Sequence, residues 1–328
     1  MKILIAGLGS IGRRHLRNLV NLGQRDLVLY RTGQATLPEA ELSGFETVRT
    51  LEAGLAQRPK AVIVSNPTAL HLDVAIPAAQ AGCHLLIEKP VSDSTARGEA
   101  LRRAVAAGRG RVLVGFQFRH HPTLQQAKRL VEEGRLGGIS SARVHWGEYL
   151  PGWHPWEAHE ASYAARRDLG GGALLTLCHP FDYLRWIFGE VASARGVFGE
   201  GLGLEVEAVV EAGLRFRSGV AAGVHLDYLQ RPAEHFLEVI GEAGRLRWDG
   251  LSGTLEVTVP QEGRPSLVRA PAEFERNSLF VTEMEHFLQV VEGSAEPVCG
   301  LDDGLRVQEI LEEIRFSATS DTDDRGER

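Results

Sequence analysis

Short apolar runs punctuate the first third of the chain at regular intervals: residues 2–6 (KILIA), 26–30 (DLVLY), 60–64 (KAVIV), 84–87 (HLLI) and 111–114 (RVLV). Runs this short and this rich in Val, Ile and Leu predict strands buried on both faces. Between them the apolar positions change to helical spacing. Leu16, Leu19 and Val20 precede Gly23, and Leu70, Val74, Ala78 and Ala79 precede Gly82, each glycine a natural helix stop. Strands alternating with right-handed crossover helices predict a doubly wound parallel sheet.

The texture changes near residue 120. Leu124, Ala127, Leu130 and Val131 share one face of a predicted helix over 122–134. Period-two stretches follow at 139–149, 204–216, 219–229, 235–241 and 244–259. In the second of these, Leu204, Val206, Ala208 and Val210 alternate with Glu205, Glu207, Val209 and Glu211. Such alternation predicts antiparallel sheet with one wetter face. A helix is predicted near 172–188, and two more (279–292 and 302–317) precede a tail without apolar anchors at 319–328. The fold class predicted is an α/β domain with a parallel, doubly wound sheet over 1–118. An α+β domain with an open, mostly antiparallel sheet follows over 119–318, then a disordered tail over 319–328.

A length of 328 residues accommodates two domains at ~100–200 residues each. A net charge of −7 argues against nucleic acid or an anionic membrane as a partner held by bulk electrostatics. No apolar run reaches the ~18 residues of a membrane span, and the start shows no charged-then-apolar export pattern. Three scattered cysteines (Cys83, Cys178, Cys299) form no CxxC pair, so neither disulfides nor structural zinc are favoured. The expected compartment is the cytoplasm.

Gly7-Leu8-Gly9-Ser10-Ile11-Gly12 lies directly between the first predicted strand and helix. Gly7 suits a tight turn, Gly9 lets backbone approach a pyrophosphate, and Gly12 lets the helix pack on the strand. Ser10 and Ile11 open the helix whose free N–H groups favour phosphate. This pattern predicts dinucleotide binding. At the end of the second strand, an NAD site usually offers an acid to the ribose. Here the sequence reads Tyr30-Arg31-Thr32, and guanidinium with hydroxyl suits a 2′-phosphate, so NADP is preferred over NAD.

Ligands of open α/β sheets sit beyond the carboxyl ends of the strands. Those ends carry Ser65-Asn66-Pro67-Thr68, then Glu88-Lys89-Pro90, then Gln117, Arg119 and His120. Lys89, restricted by the following proline, is a candidate to polarise or deprotonate a hydroxyl; position alone equally fits a lysine that ends a strand.

In the second half, Gly170-Gly171-Gly172 leads into a predicted helix with Thr176, His179 and Asp182 (or Tyr183) on one face. The glycines allow close approach to a ligand, and His179 can exchange a proton near pH 7. Trp146, Tyr149, Trp153, His154, Trp156, His159 and Tyr163 fall within eighteen residues. Such aromatics suit a sugar ring as well as an interface. His154 and His159 with Glu157 and Glu160 lack a metal-ligand frame, so no metal is expected.

Taken together, the residues resemble the Gfo/Idh/MocA family of NAD(P)-dependent oxidoreductases. The resemblance rests on GLGSIGRRH at 7–15, NPTALH at 66–71, EKP at 88–90 and GGGALL…H..D from 170 to 182, with the closing helices around Glu283, Phe287 and 302–317. It implies a Rossmann domain, then an open sheet that mediates homodimers or homotetramers, and substrates that are sugars, sugar nucleotides, inositols or polyols. It also implies catalytic roles for Lys89 and His179, a proline (Pro90) often preceded by a cis bond, a cofactor-facing set of Asn66, Pro67, Thr68 and His71, and a nicotinamide side of Glu88 and of Lys89, which would contact the cofactor as well as the substrate. Many members carry Asp where this chain has Thr176. A sugar-nucleotide subgroup similar over WHPWEAHEASYAARRDLGGGALL would carry Asp at 176 and Glu at 180, where Thr and Pro stand here.

The function expected is hydride transfer at a secondary-alcohol carbon. His179 would take the hydroxyl proton and Lys89 would stabilise charge on oxygen, with Arg119, Tyr149, Trp153, His154, Tyr163 and Thr176 around the substrate. The alternatives are a glycosidase or epimerase that recycles its cofactor internally, and a non-enzymatic NADP-binding sensor.

Overall fold

The computed structural model describes residues 1–33, 37, 40–154 and 157–323. In chain order the first elements are β1 (Ile3–Ala6), α1 (Ser10–Asn21), β2 (Leu27–Tyr30), β3 (Glu46–Val48), α2 (Leu51–Ala56), β4 (Ala61–Val64), α3 (His71–Gln80), β5 (His84–Glu88), α4 (Gly98–Gly108) and β6 (Val112–Gly115). All the strand pairs are parallel, in the order β3-β2-β1-β4-β5-β6. This is the Rossmann order, with its topological switch between β1 and β4. The five predicted strands are present within a residue or so. β3 escaped the sequence because Glu46-Thr47-Val48 is an exposed edge strand with no apolar run.

The next elements are α5 (Pro122–Glu132), β7 (Ile139–Tyr149), α6 (Ala173–Thr176), α7 (His179–Phe188), β8 (Val191–Gly199), β9 (Val209–Phe216), β10 (Ala221–Asp227), β11 (Leu229–Gly241), β12 (Arg245–Asp249), β13 (Thr254–Thr258) and β14 (Ser266–Arg269). They build a sheet in the order β14-β13-β12-β11-β7-β10-β9-β8, antiparallel except where β10 runs parallel to β7. One face is apolar: Val144 and Trp146, Val224 and Leu226, Val210 and Leu214, Leu237 and Val239 are all buried. The opposite face carries Glu211, His225 and His145 side by side, because these residues pair directly across β9, β10 and β7.

Several expectations are corrected. The predicted 172–188 helix is two helices, α6 and α7, interrupted at Leu177 and Cys178. The run at 244–259 is a hairpin turning through Gly250–Gly253, where Gly253 takes φ +65°. Residues 204–208 precede β9 rather than joining it, and β8 and β14 were missed, β14 being exposed throughout.

The chain closes with α8 (Arg276–Glu292) and α9 (Leu301–Asp323). Contacts divide the molecule into one unit of Met1–Gln117, Asp168–Gly170 and Arg276–Gln308, and another of Phe118–Arg167, Gly171–Glu275 and the chain from Glu309. By these contacts the segment Arg276–Gln308 groups with the first unit. The cause is the apolar stripe of α8. Leu279, Phe280, Met284 and Phe287 are buried with the first unit, Arg14 stacks on Phe280 at 4.4 Å, and the Val114 N–H donates to Cys299 O at 2.9 Å. The expected tail is α9 as far as Asp323, and the rest of it lies outside the described residues. Among the described residues no helix is long and apolar enough to cross a membrane. Cys83, Cys178 and Cys299 are each buried, and among the described residues none forms a disulfide.

Candidate active site

In the first unit, the glycines of the β1–α1 turn have separate physical reasons. Gly7 adopts φ +94°, and a Cβ there would strike the backbone of Ser65 and Asn66. A Cβ on Gly12 would fall on Gly7 O and Ser65 Oγ, so helix and strand touch through bare backbone. Gly9 caps the helix and faces open space, where a ligand can approach the N–H groups of Ser10 and Ile11. Ser65 Oγ donates to Gly7 O at 2.9 Å and ties the turn to the end of β4. These are the features of a pyrophosphate cradle, and the residues fit a dinucleotide.

Arg31 and Thr32 follow β2 on the same sheet edge, Arg31 buried and Thr32 exposed. A Cβ on Gly33 (φ +86°) would lie 3.3 Å from an Arg49 guanidinium nitrogen, so a second arginine reaches this corner. Arg49 was missed because it follows the edge strand β3. After β4, Asn66 Nδ2 donates to Leu70 O at 2.8 Å, Pro67 precedes the turn, and Thr68 is buried against Gly170. His71 is buried with Nε2 facing Asn66 O and Nδ1 facing Pro90 O, each at 2.9 Å. Burial holds this imidazole below its usual range, so it is neutral and donates to one of the two carbonyls. It clasps the Asn66 loop to the Lys89–Pro90 turn, whose peptide bond is cis.

Glu88 points into the interior, where Oε1 meets His15 Nε2 at 2.7 Å and Oε2 accepts the Lys89 N–H at 3.3 Å. Against the upward pull of burial, the His15 contact and the charges of His15 and Lys89 hold this carboxyl below its usual range. Buried Glu283 on α8 joins the same cluster. Its Oε2 has no hydrogen-bond partner among the described residues. Burial first, and then the charge of Glu88, push its carboxyl well above the usual range, so it stays protonated at neutral pH. Folding therefore favours the protonated form: this stability is complete below the unfolded value of ~4.3 and declines as pH rises through the folded one. Glu283→Gln keeps a neutral group and is expected to gain about 1–3 kcal/mol over the wild type as pH rises from about 5 to about 9. Parallel melting curves for the two proteins across that range would contradict this.

In the second unit, His179 is the first residue of α7 and is buried, with the Phe118 ring edge-on at 5.0 Å and Trp146 at 5.6 Å. Thr176 is buried at the end of α6, close enough to Tyr228 to act on its phenol. Trp153 packs edge-on against the same Tyr228 at 5.6 Å, and Tyr228 OH donates to Ala164 O at 3.4 Å. Burial holds the Tyr228 phenol well above its usual range, so it remains a donor. Thr176, Trp153 and the Tyr163–Ala165 turn thus gather around a tyrosine that the sequence did not single out. Tyr149 lies instead under Arg231 at 4.0 Å, and His154 pairs with Glu157 at 2.9 Å. Trp156 lies outside the described residues.

Two expectations change here. Arg119 is buried with Asp182: NH2 to Oδ1 at 2.6 Å and Nε to Oδ2 at 3.0 Å. It braces α7 rather than reaching toward hydroxyls. The last two glycines before α6 admit protein rather than ligand. A Cβ on Gly171 would strike the Tyr163 and Ala164 carbonyls, and one on Gly172 (φ +103°) would strike the Glu207 carboxylate, which accepts the Leu174 N–H at 3.0 Å. Burial raises the Glu207 carboxyl above its usual range. Its alternation with apolar neighbours had placed it on a wet face.

Comparison with known proteins is consistent along the chain. Residues 1–116 match the model of the oxidoreductase family with NAD-binding Rossmann fold, and residues 124–247 match the GFO/IDH/MocA C-terminal domain. The 1,5-anhydro-D-fructose reductase of Ensifer adhaerens is 30% identical over 261 residues, 75% of this chain and 73% of the relative. The chain belongs to the Gfo/Idh/MocA family. It is an NAD(P)-dependent oxidoreductase. The myo-inositol 2-dehydrogenase of Thermotoga maritima is 28% identical over 322 residues, 93% of this chain and 92% of the relative. Among solved structures, the WlbA dehydrogenase from Bordetella pertussis, in complex with NADH and UDP-GlcNAcA, superposes with a TM-score of 0.81 at 25% identity, over 98% of this chain and 97% of that one. A levoglucosan dehydrogenase in complex with NADH and levoglucosan gives 0.86 at 20% identity and the same coverage, a likeness of fold.

Proposed function

We propose that this protein oxidises or reduces a secondary-alcohol carbon of a sugar, sugar nucleotide or polyol, with NADP preferred as cofactor. The observation that carries this reading is within the first unit: Lys89 directly follows β5, on the same sheet edge as the glycine turn after β1. The named activities of the relatives, a reductase of an anhydro sugar and an inositol dehydrogenase, support the substrate class. When bound, the nicotinamide supplies the hydride acceptor or donor at the alcohol carbon. In oxidation, the C–H bond gives up its hydride pair and the hydroxyl proton passes to an imidazole nitrogen of His179. The Lys89 ammonium stabilises negative charge as it grows on oxygen, and reduction reverses both roles.

Threonine cannot relay a proton as an aspartate would, so position 176 stands beside Tyr228 and leaves proton transfer to His179 with Lys89. Trp153 and Tyr163 then present ring faces to the substrate, and Tyr149 and His154 its more distant polar groups. The family resemblance also supports a homodimer or homotetramer, and the scattered, unpaired-in-sequence cysteines support a cytoplasmic location.

Absorbance at 340 nm with NADP and then NAD, over a panel of sugars, inositols and UDP-sugars, tests this directly. Net NADPH formation is the expected result. Product formation without net NADPH would favour a glycosidase or epimerase that recycles its cofactor, and tight NADP binding without turnover would favour a sensor. For cofactor choice, Arg31→Ala and Arg49→Ala are each expected to lower kcat/KM for NADP about 10- to 100-fold, the loss of one charge-assisted contact, while leaving NAD turnover unchanged. Equal losses with both cofactors would remove the 2′-phosphate from the explanation.

A further inference from the structure

The wet face of the second unit's sheet carries a group unrelated to hydride transfer. His145 on β7 pairs directly with His225 on β10, and their rings stack at 4.4 Å and 15°. Asp227, two residues along β10 and nearly buried, places Oδ2 3.0 Å from His225 Nε2. Gln230 Oε1 meets His145 Nε2 at 2.5 Å, and Glu234 lies 3.9 Å from the same nitrogen. One ligand atom each from His145, His225 and Asp227 lie within 4.8 Å of one another. Residue 147, between them on the sheet, is glycine, and a Cβ there would fall on Asp227 Oδ2 and Gln230 Oε1.

Each of these groups is already oriented by another. His225 Nδ1 faces Glu211 Oε1 at 2.5 Å, and Asp227 Oδ1 accepts the N–H groups of Leu229 and Gln230, both at 2.7 Å. His225 thus presents Nδ1 to the Glu211 carboxylate and Nε2 to Asp227 Oδ2. The contact between His225 Nε2 and Asp227 Oδ2 is completed by a cation on that side, either the imidazole's own proton or a metal ion that replaces it. A carboxylate behind a ligating imidazole is the usual outer shell of a metal site, fixing tautomer and ring orientation. Zinc-class ions bind imidazole and carboxylate at ~2.0–2.2 Å, which places ligand atoms roughly 3–4 Å apart.

We propose that His145 Nε2, His225 Nε2 and Asp227 Oδ2 bind a divalent transition-metal ion of the Zn²⁺, Co²⁺ or Ni²⁺ class, with Gln230 Oε1 or water completing the shell and Glu211 orienting His225. Two imidazoles and one carboxylate exclude Mg²⁺ and Ca²⁺ as preferred occupants, since those take all-oxygen shells.

The test uses the full-length protein freed of metal by chelation, titrated with Co²⁺ by visible absorption and with Zn²⁺ by calorimetry. One ion per chain is expected, with d–d bands and no thiolate charge-transfer band, and with a rise in Tm on adding Zn²⁺. His145→Ala and His225→Ala should abolish the bands and the Tm rise while circular dichroism stays native. Glu211→Gln, which leaves all three ligands in place, should weaken binding about 10- to 100-fold. Binding equal in the wild type and the histidine variants would place the metal elsewhere and overturn the proposal. Absence of binding in folded wild type would also overturn it, and would leave a proton on His225, shared between Glu211 and Asp227, as the positive centre.

Discussion

Replacing Lys89 with alanine is expected to lower kcat by at least ~10²-fold with cofactor affinity retained, the low end for loss of an acid–base or electrostatic group. The phosphate cradle is built around Gly7, Gly9, Gly12 and Ser65, at the β1 and β4 ends, while Lys89 follows β5, so most of the dinucleotide's binding contacts are expected to survive and its Kd to change little. The neighbouring groups that hold the turn, Glu88 through His15 and Pro90 O through His71, are main-chain or carboxylate contacts that survive the substitution. The loss should therefore fall on the chemical step. Steady-state kinetics with a fluorescence titration of NADPH separates the two quantities. A large loss of cofactor affinity with kcat preserved would assign Lys89 to binding instead.

The second large effect is on stability. Arg119 and Asp182 form a two-point ion pair with side chains only 3% and 1% exposed. Removing one partner strands the other charge in the interior, which costs about 3–5 kcal/mol. Asp182→Ala should accordingly lower Tm by roughly 10 °C, taking ~2–4 °C per kcal/mol for a unit of this size. The paired replacement Arg119→Met with Asp182→Leu should recover most of that loss, because an apolar pair of similar volume needs no desolvation. Asp182 stands one helical turn after His179, so the single variant should also lower kcat, and the paired variant should restore part of it. Destabilisation below about 1 kcal/mol in Asp182→Ala would show that the pair is hydrated and carries little.

The parallel sheet was legible because strands buried on both faces must be continuous apolar runs, and β1, β2, β4, β5 and β6 are. What escaped was exposed or shared. β3 and β14 are edge strands with polar or solvent-facing sequences, and α8 reads as any amphipathic helix until its stripe is seen against α1 and β6. The tight turn at Gly7 and the helix–strand contact at Gly12 were legible, since each is a local steric demand. Gly171 and Gly172 were not, because what they admit, the Tyr163 and Ala164 carbonyls and the Glu207 carboxylate, comes from elsewhere in the chain. The same holds for Arg119, whose partner lies sixty-three residues away, and for Glu283, whose neighbours His15 and Glu88 come from two other elements. A sequence shows which residues carry chemistry; it does not show which of them are already spent on one another.

The claim on which the function rests is that Lys89 and His179 act in one chemical step. Kinetics of Lys89→Ala, His179→Ala and the double variant, at saturating cofactor and substrate, test it most directly. Groups that serve the same step are strongly non-additive, so the double variant should fall within about tenfold of the slower single variant. Losses that multiply would mean that the two residues serve independent steps, and would contradict the claim.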